Sequence, residues 1–499
     1  MGLQFQSTTC QCLKAASREV RNAELTQEVR LRDGMPDIGR VLTSWGQVVL
    51  RSKEWQGNLV TVTGGIMVWI LYAPEDGTPP RCIDAWVPFQ LKWELEESGG
   101  EGPIRVYPLL RFVDSRGIAA RKLMVRAGVA AMGEMLSPVE THIYHPEDLP
   151  SDIQVLKNTY PIRLPKEAAE KTFLLDEDIQ MPAGSAPLER LLAYTILPQI
   201  QEKRVADDKI IFRGTGKLRV IYRCEEGKVH AVDLEMPFSQ FAQLEQSYGA
   251  DAQVDTMLGV TSLELLENEG SQLRIKCGLV AQYLVTDRYL VEVIEDAYSP
   301  RRSVELNMEE LELPSVLECR TEMLQLQQII PGLDGEMVDA VLLPDFPRQS
   351  RAEDRVKLDI PGQFQLLYYG QDGCLQGCNA RWEREMQMMA DDESKLSFLP
   401  QTYGMVQMVK GSDDAMMNGQ LMMEMQVQKQ TAIPMVTGLE VGPVEEPNPD
   451  RPSLIICRRG EESIWRIAKR CGSTVAEIER VNNMDKQINA DAMLLIPVS

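Results

Sequence analysis

The sequence has 499 residues, and its 74 Asp and Glu against 52 Lys and Arg give a formal net charge of −22. This length accommodates three or four domains, and a hydrophobic fraction of 44% is enough to build packed cores. The acidity excludes sequence-independent nucleic-acid binding, which depends on Lys and Arg, and it argues against docking on anionic membranes.

The first residues carry no apolar core followed by a small-residue cleavage site, so we expect no secretory signal. We therefore expect a cytoplasmic protein whose cysteines are reduced. No stretch approaches the roughly 18 consecutive apolar residues of a membrane helix, so we expect no membrane insertion. His142 and His145 lie three residues apart in sequence rich in Pro and Glu, which favours a solvated loop over a metal site.

A repeat anchored on a tyrosine occurs three times, at Tyr72, Tyr222 and Tyr368. Each tyrosine ends a run of apolar and β-branched residues with a glycine inside it, and an acidic residue and a second glycine follow. This pattern predicts two strands that meet at a tight turn. The tyrosines are about 150 residues apart, which is the spacing of domains and not of solenoid repeats. The copies are VTVTGGIMVWILYAPEDG (60–77), IIFRGTGKLRVIYRCEEG (210–227) and VKLDIPGQFQLLYYGQDG (356–373).

Further sequence features agree between the copies. Pro88-Phe89 and Pro237-Phe238 follow the first two tyrosines at similar distances, whereas the third copy has Arg381-Trp382 nearby. We interpret the tyrosines and the Pro-Phe pairs as core and turn residues. Within each copy the apolar residues alternate with polar ones, which is typical of strands with one buried face. The sequence therefore predicts a mainly β protein with three small antiparallel β domains in series, each a sandwich or an open barrel.

Breaks in the pattern give a domain division. The third copy is rich in methionine, which is typical of strand cores, although flexible methionine surfaces also bind partners. The predicted parts are an N-terminal segment 1–34, repeats at 35–150, 151–314 and 315–437, a linker at 438–452, and a C-terminal domain at 453–499.

The C-terminal domain has a pattern of its own. Two short apolar runs, 454–457 and 493–497, predict strands that enclose two helices. Ser463 and Thr474 suit the two helix N-caps, because their hydroxyls can accept a free backbone N–H. We expect Ile464, Ile467 and Ala468 on the inner face of the first helix. On the second helix we expect the inner face to comprise Val475, Ile478 and Val481. The result is a small βααβ unit.

The stretch SIWRIAKRCGSTVAEIERVNNM…LLIP resembles a LysM domain along its whole length. The resemblance implies a shallow site for N-acetylglucosamine units between the first strand–helix loop and the second helix–strand loop. These loops depart from the usual pattern, so we expect protein docking to dominate over glycan binding. The candidate ligand or partner residues are Gly460, Glu462, Ser463, Ile464, Trp465, Arg466, Lys469, Asn482 and Asn483.

The repeats resemble the SPOCS domain, through PDIGRVL (36–42), the glycine-to-tyrosine run and VPF (87–89). SPOCS domains followed by one LysM are similar to the layout of clostridial spore-coat morphogenetic proteins. This resemblance implies a scaffold in the mother-cell cytoplasm at the forespore surface and spore coat. Its implied partner is the spore-coat morphogenetic ATPase or another coat protein. The alternative is a cell-wall protein whose LysM binds peptidoglycan.

Catalytic motifs are missing from the sequence. It has no Walker loop, no G-x-S-x-G elbow and no H-E-x-x-H, and pairs such as Glu225-Glu226 are expected by chance in so acidic a chain. We therefore expect a protein that is not an enzyme and that needs no cofactor or metal.

Overall fold

The structure, a computed structural model, consists mainly of β-strands. It describes residues 2–96, 102–267, 272–333, 335–353, 355–411, 414–445, 452–458, 461–482 and 493–498. All assigned strand pairs in this part of the chain are antiparallel. The predicted mainly β class is confirmed.

Repeat 1 contains two three-stranded sheets, because its strands pair in the orders β1-β6-β5 and β2-β3-β4. Apolar side chains of both sheets meet in one core, so the repeat is a sandwich. Its strands are β1 (Phe5–Arg30), β2 (Ile38–Gln56), β3 (Leu59–Pro74), β4 (Arg81–Glu94), β5 (Ile104–Ala119) and β6 (Lys122–Pro146).

Repeat 2 has the same topology, with sheets β11-β12-β7 and β10-β9-β8. Its strands are β7 (Gln154–Gln180), β8 (Leu188–Ala206), β9 (Lys209–Cys224), β10 (Val229–Gln243), β11 (Gln253–Glu267) and β12 (Gln272–Tyr298).

Repeat 3 keeps this topology with one interruption, because its second strand is divided into β14 and β15, which both pair with β16. The strands are β13 (Val304–Pro331), β14 (Glu336–Pro344), β15 (Arg348–Ala352), β16 (Arg355–Tyr369), β17 (Leu375–Met389), β18 (Lys395–Lys410) and β19 (Asp414–Val441). Three buried methionines of β19, Met417, Met423 and Met425, lie in the core of this repeat. Three similar antiparallel β domains in series are therefore confirmed.

The repeat tyrosine belongs to the central strand of the smaller sheet. Tyr72 is fully buried in β3, and its hydroxyl donates to the carbonyl oxygen of Pro36 at 3.1 Å. It thereby holds the segment that leads into β2. The turn that follows contains Gly77, whose φ of 75° is a left-handed conformation that favours glycine. Gly227 and Gly373 have φ values of 81° and 70° at the matching places.

The glycine inside the central strand explains the Pro-Phe pair. Gly64 lies opposite Phe89 in the register, and a Cβ on Gly64 would come within 2.6 Å of the Phe89 ring. Gly214 and Phe238 repeat this arrangement with the same 2.6 Å approach. The glycine leaves the space into which the opposite aromatic ring packs.

The first and last strands of each repeat are long and leave the sandwich together as a two-stranded ribbon. In repeat 1 this ribbon runs from Phe5 opposite Pro146 to Leu13 opposite Pro138. The ribbons of the three repeats pack around one apolar core, which we call the stalk. Its buried side chains are Cys10, Cys12, Ile143, Ile162, Leu164, Val291, Val293, Leu311, Leu313, Ile433 and Met435.

The stalk includes segments that the predicted domain division places outside the three repeats. β1 lies in segment 1–34 and pairs with β6 along nearly its whole length. β19 continues to Val441, into the segment 438–452.

The expectation of a loop at His142 and His145 was wrong, because both residues belong to β6, where cross-strand pairing with β1 fixes the backbone.

The three sandwiches also meet above the stalk. Tyr107, Met257 and Leu399, one from each repeat, pack in a shared cluster. A buried ionic layer lies close by, where Arg105 pairs with Glu134 and with Asp255, each at 2.5 Å. The chain thus folds as an internal trimer of repeats around a common axis.

The C-terminal domain is the predicted βααβ unit. It consists of β20 (Leu454–Arg458), α1 (Ile464–Cys471), α2 (Val475–Asn482) and β21 (Met493–Pro497). Among the described residues, neither helix has the length or the apolarity needed to cross a membrane.

Candidate functional site

Both helices of the C-terminal domain begin at the predicted caps. The Ser463 hydroxyl accepts from the Arg466 backbone N–H at 3.3 Å, and Gly472 ends α1 with a φ of 66°. The Thr474 hydroxyl accepts from the Glu477 N–H at 3.2 Å. The Thr474 hydroxyl also donates to the Glu477 carboxylate at 3.2 Å, which links the cap to the first turn of α2.

The core of this domain lies between the helices and the inner face of the sheet. Ile467 and Ala468 are fully buried, as predicted, and Ile478 joins them, whereas Ile464 and Val475 are partly buried. Val481 is exposed, so its predicted inward position was wrong. It lies in the last turn of α2, a helix whose one buried residue is Ile478.

Two of the candidate residues contact repeat 2 of the same chain. The Trp465 indole N–H donates to Asp296 Oδ2 at 2.7 Å, and Lys469 Nζ lies 2.6 Å from Asp296 Oδ1. The ring of Trp465 packs edge-on against Tyr298, with centroids 4.9 Å apart. The C-terminal domain is therefore docked on the end of β12 through α1.

Tyr298 completes this contact from the side of repeat 2. It is buried among the core residues of the C-terminal domain, and its hydroxyl donates to the Ser473 carbonyl oxygen at 2.9 Å. Burial, together with the neighbouring Asp296 carboxylate, raises the pKa of Tyr298 to about 12. The phenol therefore stays protonated and keeps its role as a donor at neutral pH.

The other candidate residues have different surroundings. Glu462 pairs with Arg470 at 2.9 Å, while Arg466 is exposed. Asn482 is structural, because its side-chain amide donates to the Leu495 carbonyl oxygen at 2.7 Å and accepts from the Leu495 N–H at 2.8 Å. Gly460 and Asn483 lie outside the described residues.

The outer face of the small sheet is an apolar surface that the sequence reasoning missed. Ile456 is 61% exposed and Met493 is 62% exposed, although both lie in regular strands. Strands with one buried face alternate apolar and polar residues, whereas LIICR and MLLIP are apolar on both faces. That pattern could have revealed the surface. We call it the outer LysM face, and it comprises Leu454, Ile456, Met493 and Leu495.

Two parts of the chain match known domain families. Residues 187–265 match the family described as SipL, SPOCS domain, and these residues run from β8 into β11 of repeat 2. Residues 458–497 match the LysM domain. The chain contains a SPOCS domain and a LysM domain. No curated protein and no solved structure matches the chain.

These matches confirm the SPOCS and LysM resemblance and the repeat-like β organisation. SPOCS and LysM are binding domains rather than catalytic ones, and together they fit a sporulation-related protein with a peptidoglycan-binding type of module. Among the described residues, no group of three or more His, Cys, Asp or Glu side chains is arranged to hold a metal ion.

Proposed function

We propose that the protein is a non-enzymatic sporulation scaffold that docks spore-coat morphogenetic proteins at the forespore surface through its LysM domain and its β repeats. The observation that carries this proposal is the presence of SPOCS and LysM domains on one chain. The proposed location is the mother-cell cytoplasm, against the forespore. The proposed partner is the spore-coat morphogenetic ATPase or another coat protein.

The domain division proposed for this scaffold follows the strands. Each repeat begins with its long first strand and ends with its long last strand, at 5–146, 154–298 and 304–441. The LysM domain then occupies 453–499. In this division the former N-terminal segment belongs to repeat 1.

The docking surface must be one that repeat 2 leaves free. Trp465 and Lys469 are engaged by Asp296, so we assign the partner contact to the outer LysM face together with the exposed cations Arg458 and Arg466. Exposed apolar groups rimmed by charge are typical of protein interfaces. The LysM segment 453–499 holds seven Lys and Arg against six Asp and Glu, whereas the whole chain is at −22. It is therefore the least repulsive surface for an acidic partner.

Co-precipitation of the coat ATPase from sporulating cells tests this assignment. Ile456→Glu places a charge in the centre of the outer LysM face and should reduce recovery of the ATPase at least tenfold. The matched control is Leu174→Glu, a similarly exposed leucine on β7, which should recover as much ATPase as the unchanged protein. Equal recovery with Ile456→Glu and with the control, both folded, would contradict the proposal.

The alternative function is that of a cell-wall protein whose LysM binds peptidoglycan, and the LysM match favours it. Calorimetry with chitin and peptidoglycan oligomers separates the two functions. The scaffold proposal expects weak or no heat of binding. Micromolar binding of oligomers that survives Ile456→Glu would favour the wall protein instead.

A further inference from the structure

The three repeats meet along three seams, and two of these are closed by an apolar side chain. Where repeat 3 meets repeat 1, Phe346 is buried against Leu109, Ala130 and Met132, with its ring centroid 6.3 Å from that of Tyr107. Where repeat 1 meets repeat 2, Leu50 covers Gly259 so closely that a Cβ there would lie 2.8 Å from Leu50 Cδ1.

The third seam, between repeats 2 and 3, is open. A cavity of about 830 Å³ lies there, lined by residues of all three repeats. Long polar side chains bridge this seam, because Gln199 Nε2 donates to the Thr402 carbonyl oxygen at 2.8 Å and Lys203 Nζ lies 3.7 Å from a Glu424 oxygen. The volume is within the range of about 300–1,000 Å³ that is typical of ligand sites.

Equivalent positions explain why this seam stays open. Leu50, Ile200 and Phe346 each lie 22 residues before the tyrosine of their own repeat. Leu50 and Phe346 reach the neighbouring repeat and close their seams, whereas Ile200 lines the cavity. Ile200 is smaller than Phe346 and about as large as Leu50, but Leu50 packs directly on a glycine, Gly259, whereas the repeat 3 residues that line the cavity with Ile200 include the polar Gln401. The cavity thus includes the place that an apolar side chain occupies at the other two seams.

The walls of the cavity combine apolar groups with satisfied charges. Leu197, Leu258 and Val341 contribute apolar surface. The charged wall residues are mostly paired within the chain, as for Arg219, which lies 2.9 Å from Asp339 and 3.3 Å from Asp233. The Thr256 hydroxyl also lines the cavity, is buried, and has no hydrogen-bond partner among the described residues. A buried hydroxyl of this kind gains from a polar group brought in by a ligand.

The surface outside the mouth of the cavity is low in charge, and its nearest charges are Lys217, 5.5 Å from the Tyr403 ring centroid, and Glu424, which follows Met422 on the outward side of β19. It is the outer side of sheet β13-β19-β18, and we call it the neutral face. The matching side of repeat 2 carries charged residues such as Asp176, Arg274 and Lys276. The neutral face comprises Met323, Gln325, Gln327, Ile329, Tyr403, Met405, Gln407, Val409, Met416, Asn418, Gln420 and Met422.

We propose that the open seam is a binding site for a partner polypeptide. The segment of the partner that binds here carries an aromatic or large aliphatic anchor within a stretch of low charge. The anchor enters the cavity and completes the third seam, as Phe346 completes the seam to repeat 1. The flanking residues lie on the neutral face, where a highly charged segment would lose hydration and find few counter-charges. This site involves neither the LysM domain nor its partner.

A fluorescent peptide with the sequence of residues 343–350 in which Asp345 and Arg348 are replaced by Asn and Gln is the probe, because it keeps the anchor Phe346 that the chain itself uses and carries no charged side chain. Fluorescence polarisation with the full-length protein should show saturable binding. A peptide with Phe346→Ala should bind at least tenfold more weakly. Ile200→Trp in the protein places an indole ring in the part of the cavity next to Ile200 and should weaken binding of the Phe peptide at least tenfold.

Leu174→Trp is the matched control, because it adds the same side chain at a leucine that is 57% exposed on repeat 2, away from the cavity, and binding should stay within twofold. If Ile200→Trp fails to fold, Met405→Glu provides the second variant. Met405 is 62% exposed at the mouth, so its replacement leaves the core intact and should also weaken binding. Absence of saturable binding overturns the proposal. Equal binding of the Phe and Ala peptides, or binding unchanged by the cavity and mouth variants, does so as well.

Discussion

The ionic part of the contact between the LysM domain and repeat 2 is supplied by one carboxylate, Asp296. It accepts from the Trp465 indole and pairs with Lys469. Asp296→Asn preserves the shape and one acceptor oxygen but removes the charge. The variant therefore isolates the ionic part of the contact while Tyr298 continues to pack against Trp465.

The expected loss follows from two terms. A hydrogen bond to a charged group contributes about 1 kcal/mol more than one to a neutral group. The Lys469 and Asp296 side chains are 42% and 24% exposed, so solvent screening limits their ion pair to about 0.5 kcal/mol. The sum of about 1.5 kcal/mol corresponds to a roughly tenfold larger population of the undocked LysM domain.

Hydrogen exchange followed by mass spectrometry measures this population. The amides of α1 should exchange about tenfold faster in Asp296→Asn, while those of the central strand β3 keep their rates. Asp84→Asn is the matched control, because Asp84 also forms an ion pair, with Arg32, but is far more exposed. This variant should leave the exchange rates of α1 unchanged. Unaltered exchange of α1 in a folded Asp296→Asn protein would refute the reasoning.

Three further predictions concern the repeats. Arg105→Ala removes the fully buried cation that Glu134 and Asp255 share, leaving them only Arg18 and Lys203, and should lower the free energy of unfolding by about 3–5 kcal/mol in denaturant titrations. Arg32→Ala at an exposed pair should change it by less than about 0.5 kcal/mol. Burial raises the pKa of Cys12 to about 11, so iodoacetamide at pH 8 should alkylate exposed Cys374 in the folded protein and spare Cys12; equal labelling in peptide mass spectra would contradict this. Burial also raises the pKa of Glu167, so the folded state binds its proton more tightly than the unfolded chain, and its contribution to stability falls as pH rises from about 4.5. The stability of Glu167→Gln relative to the unchanged protein should therefore improve between pH 4 and pH 7, and a difference independent of pH would refute it.

Local patterns were enough to predict the elements of each unit. The run that ends at Tyr72, the left-handed glycine five residues later and the alternation of apolar residues all report backbone geometry within about 20 residues. The caps Ser463 and Thr474 are equally local. Such signals act within one strand or one helical turn, so they are readable without knowledge of the fold.

Contacts between distant segments could not be predicted in this way. β1 reads as a mostly polar segment, and only its pairing with β6, more than 90 residues away, makes it part of repeat 1. The role of Trp465 changed for the same reason, since its partner Asp296 lies 169 residues away. Patterns within a short window of the sequence carry no information about a strand or a side chain that lies so far along the chain.

The sequence by itself determined the units of this protein: three β repeats, a βααβ domain, and the turns and caps that delimit their elements. Only the tertiary structure decided how the units are joined, with two seams closed, one open, and α1 turned toward repeat 2. The reason is physical. Strand and helix formation follow from periodicity and backbone preference along the chain, whereas the closing of a seam depends on how one side chain, such as Leu50 or Phe346, meets a surface that another repeat supplies.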